Sequence, residues 1–248
     1  ARFYRDKLAM RVKAQQSGVN IPAFASTINN DELNRFLDTI PAPWVLKPRG
    51  EASAMGIKKV HNKDELWRHV NDLGDRRSWF LVEQFLPGDV YHVDSVVWDS
   101  EVVFVSCCKY GMPPMSVYQG GGVFATSTVP YGSPEEAELH AINKASLAAM
   151  GLRRGVVHAE FIRAHADGKY YFLENASRVG GASIDQMIEH ATGVNLWKEW
   201  AKVEVAQARG EEYTPPARRN EYAGLLVSLA RQDHPDTSAY NDPELVWR

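Results

Sequence analysis

The stretch GVVHAEFIRAHADGKYYFLENASRVGG, residues 155–181, decides how this chain is read. Two apolar runs, 155–164 and 169–175, are rich in β-branched and aromatic residues and flank the turn HADG, which predicts an antiparallel pair of strands. Side chains alternate along a strand. His158 and Glu160 therefore share one face of the first run, and Glu174, Ala176 and Arg178 share one face of the second if it stays extended. Both acids sit among apolar neighbours such as Val156, Phe161, Phe172 and Leu173. A half-buried carboxylate there is costly unless it is paired or bound to a cation, so the two acids predict a Mg2+ site. Arg178 adds a planar fork suited to phosphate oxygens, next to Gly180-Gly181, where backbone can approach a ligand. The alternative is that both acids point outward and pair with basic residues across the hairpin.

Upstream, Lys47 lies inside the strand-like PWVLKP at 43–48, where an ammonium is out of place unless it serves phosphate or blunts a sheet edge. The loop at 49–56 carries small residues at Ala52, Ser53, Ala54 and Gly56, so its backbone could fold over phosphates. Another apolar strand, 79–84, ends in Glu83-Gln84-Phe85-Leu86 before Pro87-Gly88. Backbone groups there could read a purine edge, or Phe85 could be ordinary core.

Apolar periodicity and caps predict helices at 4–17, 31–40 (capped by Asn30), 63–73, 134–150 (capped by Ser133 and closed by Gly151), 183–191 and 195–209. Strands are expected at 57–60, 90–99, 101–110 and 122–129, with Asp99-Ser100 as a tight hairpin turn, and AGLLVSLA at 223–230 is a further strand-like run. The sum is an α+β fold in two lobes, with a hinge near 85–89. The expected division is a connecting helix and strand at 1–25, a small lid unit at 26–86, a large unit with the metal site at 87–210, and a linker leading into a C-terminal segment at 211–248.

A net charge of −3 and a pI near 6.3 argue against whole-domain attraction to nucleic acid or to an anionic membrane. The two cysteines, Cys107 and Cys108, are adjacent and suit neither a structural disulfide nor a zinc site. With no apolar run of membrane-spanning length and no signal-peptide pattern, the chain reads as cytosolic, and as part of a longer protein because it begins with Ala1.

The order DKLAMR, VLKPRG, a small-residue loop, VEQFLPG, YHVDS, HAEF and LENASRVGG resembles the ATP-grasp superfamily over residues 4–210. HxEF followed by ExxxRxGG is nearest its dipeptide (L-amino-acid) ligase branch. The resemblance implies ATP clamped between two α+β lobes, with Lys7 and Lys47 on phosphates or adenine. Glu83 and the backbone around Gln84, Phe85 and Leu86 would hold adenine, with Ser53 in the lid and Tyr91 or His92 by the ribose. Glu160 and Glu174 would ligate Mg2+, with Mn2+ as a second candidate, and Arg178 would stabilise an acyl phosphate. It further implies an ADP-forming carboxylate–amine or carboxylate–thiol ligase. Its partners would be small-molecule carboxylate and amine substrates, with no nucleic acid and no membrane, and it is compatible with an additional N-terminal domain and a homodimer. Two other functions fit the same fold: a bicarbonate-activating enzyme like biotin carboxylase or carbamoyl-phosphate synthase, and a non-catalytic ATP-binding regulatory module. The chain departs from the family pattern where many relatives have a metal-binding Asn (Ala176 here) and a hinge Glu (Val90 here). Its lid is poorer in glycine, and 119–127 lacks the histidine that the ligase branch often carries. Asp94, on the strand face of His92, is expected either to position a lysine or substrate amine or to form a surface ion pair.

Overall fold

Asp6 starts the first helix. Its side chain accepts from the amides of Leu8 and Ala9, so α1 runs Lys7–Gln16, and Arg2–Tyr4 forms a separate 3-10 turn instead of the first turn of that helix. The computed structural model describes residues 2–52, 55–228 and 232–246. β1 (Phe24–Ser26) is followed by α2 (Asn30–Thr39). Asn29 caps α2, not Asn30, because its side chain reaches the amides of Asp31 and Glu32. With β2 (Trp44–Pro48), β3 (Lys58–Val60), α3 (Lys63–Leu73) and β4 (Phe80–Gln84), the chain completes an antiparallel sheet ordered β1-β4-β2-β3. Leu33, Phe36 and Leu37 of α2 and Leu66 and Val70 of α3 bury their apolar stripes against Trp44, Leu46, Val60 and Val82 of this sheet.

Phe85–Pro87 lead directly into β5 (Gly88–Trp98), which turns through Asp99 and Ser100 into β6 (Glu101–Tyr110). Both turn residues have positive φ, 47° and 70°, as a two-residue hairpin with the right-handed strand twist requires. Next comes α4 (Pro114–Gly120), which the sequence does not predict, and then β7 (Phe124–Thr128). α5 (Pro134–Met150) is capped by Ser133 and stopped by left-handed Gly151. β8 (Gly155–Ala164) and β9 (Tyr170–Ala176) form the expected hairpin, and α6 (Ile184–Thr192), α7 (Leu196–Arg209) and β10 (Gly224–Val227) follow. Of the run at 223–230, residues 229 and 230 lie outside the described residues.

The second sheet is ordered β10-β7-β6-β5-β8-β9, and each of its pairs is antiparallel. α1 and α5 cover one face, where Met10, Ala14, Leu139 and Leu147 meet Val93, Val157, Phe161 and Phe172. α6 and α7 cover part of the other, packing Ile184, Ile188 and Leu196 on Val96, Phe104, Cys108 and Val156. The two cysteines are free and buried in β6. Helices with antiparallel sheets make the fold α+β. Gly88 sits where the chain enters the larger sheet, and a Cβ there would lie 2.3 Å from the Arg163 carbonyl oxygen of β8. No helix among the described residues is long and apolar enough to cross a membrane.

Candidate functional site

β8 and β9 place Glu160 directly opposite Glu174. Both line a cleft between the two sheets, with side chains 21% and 29% exposed, so they face inward and not outward to solvent. Lys7 enters from α1. Its Nζ lies 2.7 Å from Glu174 Oε2 and donates to the Glu51 carbonyl at 2.5 Å. Two carboxylates meeting in register, with an ammonium already drawn to one of them, form a hard-oxygen donor set that fits Mg2+. The remaining lining divides by chemistry. Val45, Leu86, Val90, Met115, Ile162 and Leu173 are apolar, whereas Lys7, Lys47, Glu51, Glu83, Glu160 and Glu174 carry charge.

Glu83 does not stand ready for a ligand. Its carboxylate is buried between two cations, Arg11 Nε at 2.8 Å from Oε1 and Lys47 Nζ at 2.5 Å from Oε2. Burial pushes the Glu83 carboxyl up, but the two cations overcome this and hold it below the usual range. For Lys47 burial is the largest influence and Arg11 adds to it. Glu83 opposes both, and the ammonium titrates at about 8. Of the adenine role expected for Glu83, the side chain is no part, because its oxygens are committed to Arg11 and Lys47. Arg11 was missed at the sequence level. The available signal was its place four residues after Lys7, on the same face of α1.

His92 is also corrected. It is fully buried, with Nδ1 2.6 Å from Asp94 Oδ2 and Nε2 2.8 Å from Thr126 Oγ1, so neither ring nitrogen is left for a ribose. Asp94 is no surface residue either, since its other oxygen lies 2.9 Å from His158 Nδ1. Burial pushes His158 down, yet Asp94 prevails and holds the imidazole protonated. Asp94, conversely, is held well below the usual carboxylate range by the two rings against the effect of burial. At the hinge, the amides of Gln84 and Phe85 go to the carbonyls of Ala23 and Pro43, and Lys59 Nζ lies 3.8 Å from the Phe85 ring centroid. Both residues, with Leu86, line the cleft.

A family model described as an ATP-grasp domain matches residues 40–186. The chain belongs to the ATP-grasp family. It is 26% identical over 214 residues to an L-arginine-specific L-amino acid ligase of Bacillus subtilis, covering 83% of this chain and 50% of that protein. A D-alanine–D-alanine ligase of Saccharophagus degradans is 25% identical, covering 68% and 54%. The chain thus spans about half the length of these relatives. Among solved structures, an L-amino acid ligase from Bacillus licheniformis superposes with a TM-score of 0.63 at 23% identity, over 80% of this chain and 46% of that one. An ATP complex of carboxyaminoimidazole ribonucleotide synthase from Aspergillus clavatus gives 0.68 at 14%, over 86% and 53%.

Against the ATP-grasp pattern, Ala176 pairs with His158 and offers no ligand, while Asn175 lies 2% exposed on the opposite face with neither amide atom hydrogen-bonded. Arg178 is exposed on the loop after β9 and donates through Nη1 to the Val179 carbonyl at 2.8 Å, so it is not among the cleft-lining residues. Ser53, expected in the ATP-grasp lid, lies outside the described residues.

Proposed function

We propose that the chain is the nucleotide-handling part of an ADP-forming ligase that joins a carboxylate to an amine or a thiol through an acyl phosphate. The observation that carries this reading is the Glu160–Glu174 pair facing the same cleft as Lys7 and Lys47. Residues 26–86 would be the lid unit and 87–210 the larger unit, with ATP between them in a cytoplasmic enzyme.

Apolar residues around Leu86, Val90, Ile162 and Leu173 would hold the purine, and the Leu86 amide would take over the backbone contact that Gln84 and Phe85 have spent elsewhere. Lys47, fixed by Glu83, would set an ammonium on a phosphate oxygen. Lys7 would exchange Glu174 for phosphate when nucleotide enters. Mg2+, or Mn2+, held by Glu160 and Glu174 would neutralise phosphate charge. A substrate carboxylate oxygen then attacks the γ-phosphorus, and the bond to the β-phosphate oxygen breaks with ADP leaving. The amine next attacks the acyl carbon, the C–O bond to phosphate breaks, and the amine loses a proton. Arg178, swung from its Val179 contact, would stabilise charge on the acyl phosphate. No side-chain nucleophile is required, and the protein's part is positioning and charge compensation.

The test is ADP release by the full-length protein across pairs of amino acids, with Glu174→Gln as the control variant. The reading expects carboxylate- and amine-dependent release that this variant loses while keeping its circular dichroism and melting temperature. Undiminished turnover in Glu174→Gln overturns it. Release with bicarbonate alone would favour the bicarbonate-activating alternative, and tight ATP binding without release the regulatory one.

A further inference from the structure

Glu160 is tied on one side only. The Tyr110 hydroxyl donates to its Oε1 at 3.0 Å, and His158 Nε2 lies 3.7 Å from the same oxygen, an ion-pair distance longer than a hydrogen bond. No bond to Oε2 is made among the described residues. Behind these contacts runs a continuous buried line across the larger sheet. His158 Nδ1 meets Asp94 Oδ1 at 2.9 Å, Asp94 Oδ2 meets His92 Nδ1 at 2.6 Å, and His92 Nε2 meets Thr126 Oγ1 at 2.8 Å. Thr126 donates its hydroxyl to the Lys109 carbonyl at 3.1 Å, which anchors the far end to the backbone.

Register places these groups as neighbours. Asp94 is opposite His158 on β5 and β8, His92 opposite Glu160, and Tyr110 opposite Thr126 on β6 and β7. The loop after β9 presses on the line from above, since a Cβ at Gly180 would fall 3.0 Å from Asp94 Oδ1 and 3.1 Å from His158 Nδ1. His92, Asp94 and His158 have potential ligand atoms within 4.8 Å of one another, the spacing of a metal site. Their close ligand atoms are spent on each other and on Thr126, and His158 Nε2 faces Glu160, which makes the cluster a support and not a second metal site.

We propose that Tyr110 and His158, the latter held by Asp94, are positioning residues for Glu160, retaining Oε1 in the protein so that Oε2 alone is offered to the divalent cation of the nucleotide. The proposal rests on the assignment of Glu160 as a metal ligand given above. Carboxylates that bind metals are commonly oriented by such outer partners, whose removal weakens metal binding by about 10- to 100-fold. The arrangement also accounts for a ring pair, His92 against Tyr110 at 4.8 Å between centroids, that keeps the Tyr110 hydroxyl aimed across the sheet. It makes His92 a support at one remove from the site, in place of a ribose contact.

The test measures Mn2+ binding to the full-length protein with ADP by electron paramagnetic resonance, and metal-free ADP binding by calorimetry, for Tyr110→Phe, His158→Gln and Glu160→Gln. Tyr110→Phe removes one hydroxyl and keeps the packed ring, so it tests the contact without opening a cavity. The expected result is a roughly tenfold or greater loss of Mn2+ affinity in Tyr110→Phe and His158→Gln, with metal-free ADP affinity within about twofold of the parent. Unchanged Mn2+ affinity in Tyr110→Phe, when Glu160→Gln has lost it, overturns the positioning role alone. Unchanged Mn2+ affinity in Glu160→Gln overturns the metal-ligand assignment beneath it. Equal losses of Mn2+ and metal-free ADP binding in Tyr110→Phe would show a general collapse of the cleft and would also overturn the proposal.

Discussion

Replacing Glu83 by glutamine removes the anion that lies between Arg11 and Lys47 and leaves two buried cations facing an uncharged amide. The three side chains are 0%, 4% and 8% exposed for Arg11, Glu83 and Lys47, so water cannot compensate. At the 2.8 and 2.5 Å separations seen here, each attraction is roughly 6 kcal/mol at an effective dielectric of about 20, before desolvation is subtracted. Breaking a buried pair by removing one partner typically costs about 3–5 kcal/mol net, and that is the expected loss for Glu83→Gln. In a chain of 248 residues this lowers the melting temperature by about 6–20 °C, at roughly 2–4 °C per kcal/mol. The folded Glu83 carboxyl titrates below its unfolded value. Its contribution is therefore fully present above the unfolded pKa of about 4.3 and is lost as pH falls through the folded one, so the difference between parent and variant shrinks in acid. Urea titrations at pH 7 and at steps from about pH 4 down to about pH 2.5, followed by circular dichroism, measure both effects. The exposed pair Lys63–Asp38 is the control, and Asp38→Asn is expected to cost no more than about 1 kcal/mol. A Glu83→Gln loss no larger than that control would refute the reasoning.

Two further outcomes follow from the same geometry. Lys47, titrating at about 8, is charged below that pH and neutral above it, so Mg-ADP affinity is expected to weaken as pH rises from 7 to 9.5, by up to about tenfold per unit beyond 8. Calorimetry reads this, and Lys47→Arg should abolish the alkaline limb because arginine stays protonated throughout. Gly88→Ala must push β5 away from the Arg163 carbonyl, at an expected cost of about 1–3 kcal/mol in a denaturant titration, whereas Gly120→Ala, with nothing near its missing Cβ, should cost less than about 1 kcal/mol.

The hairpin from 155 to 176 was legible because its two signals, strand alternation and a turn, are local, but the register shift at Glu160/Phe161 that sets Glu174, and not Leu173, opposite Glu160 leaves no such local signal. The helix cap at Ser133 was legible for the same reason. Contacts between distant segments were not. Glu83 reads as a cleft acid until Arg11, 72 positions earlier, is brought against it by the docking of α1, and His92 reads as a ligand contact until Thr126 and Asp94 close around it. α4 was hidden because Pro113, Pro114 and the glycines at 120–122 read as a loop, although proline is at home in a first helical turn. Strand alternation does not place Arg178, because β9 ends at Ala176 and the side chain sits on the loop beyond it.

α1 lies outside the 40–186 span that the family model recognises, yet it supplies Lys7 to Glu174, Arg11 to Glu83, and, just before it, Asp6 to Arg49 at 2.5 Å. A fragment cut at residue 40 would keep the acids of the cleft and discard two of the cations that balance them. The smallest piece able to carry a properly charged cleft is thus set by electroneutrality and begins at Asp6, some thirty residues ahead of the first residue that the family model matches.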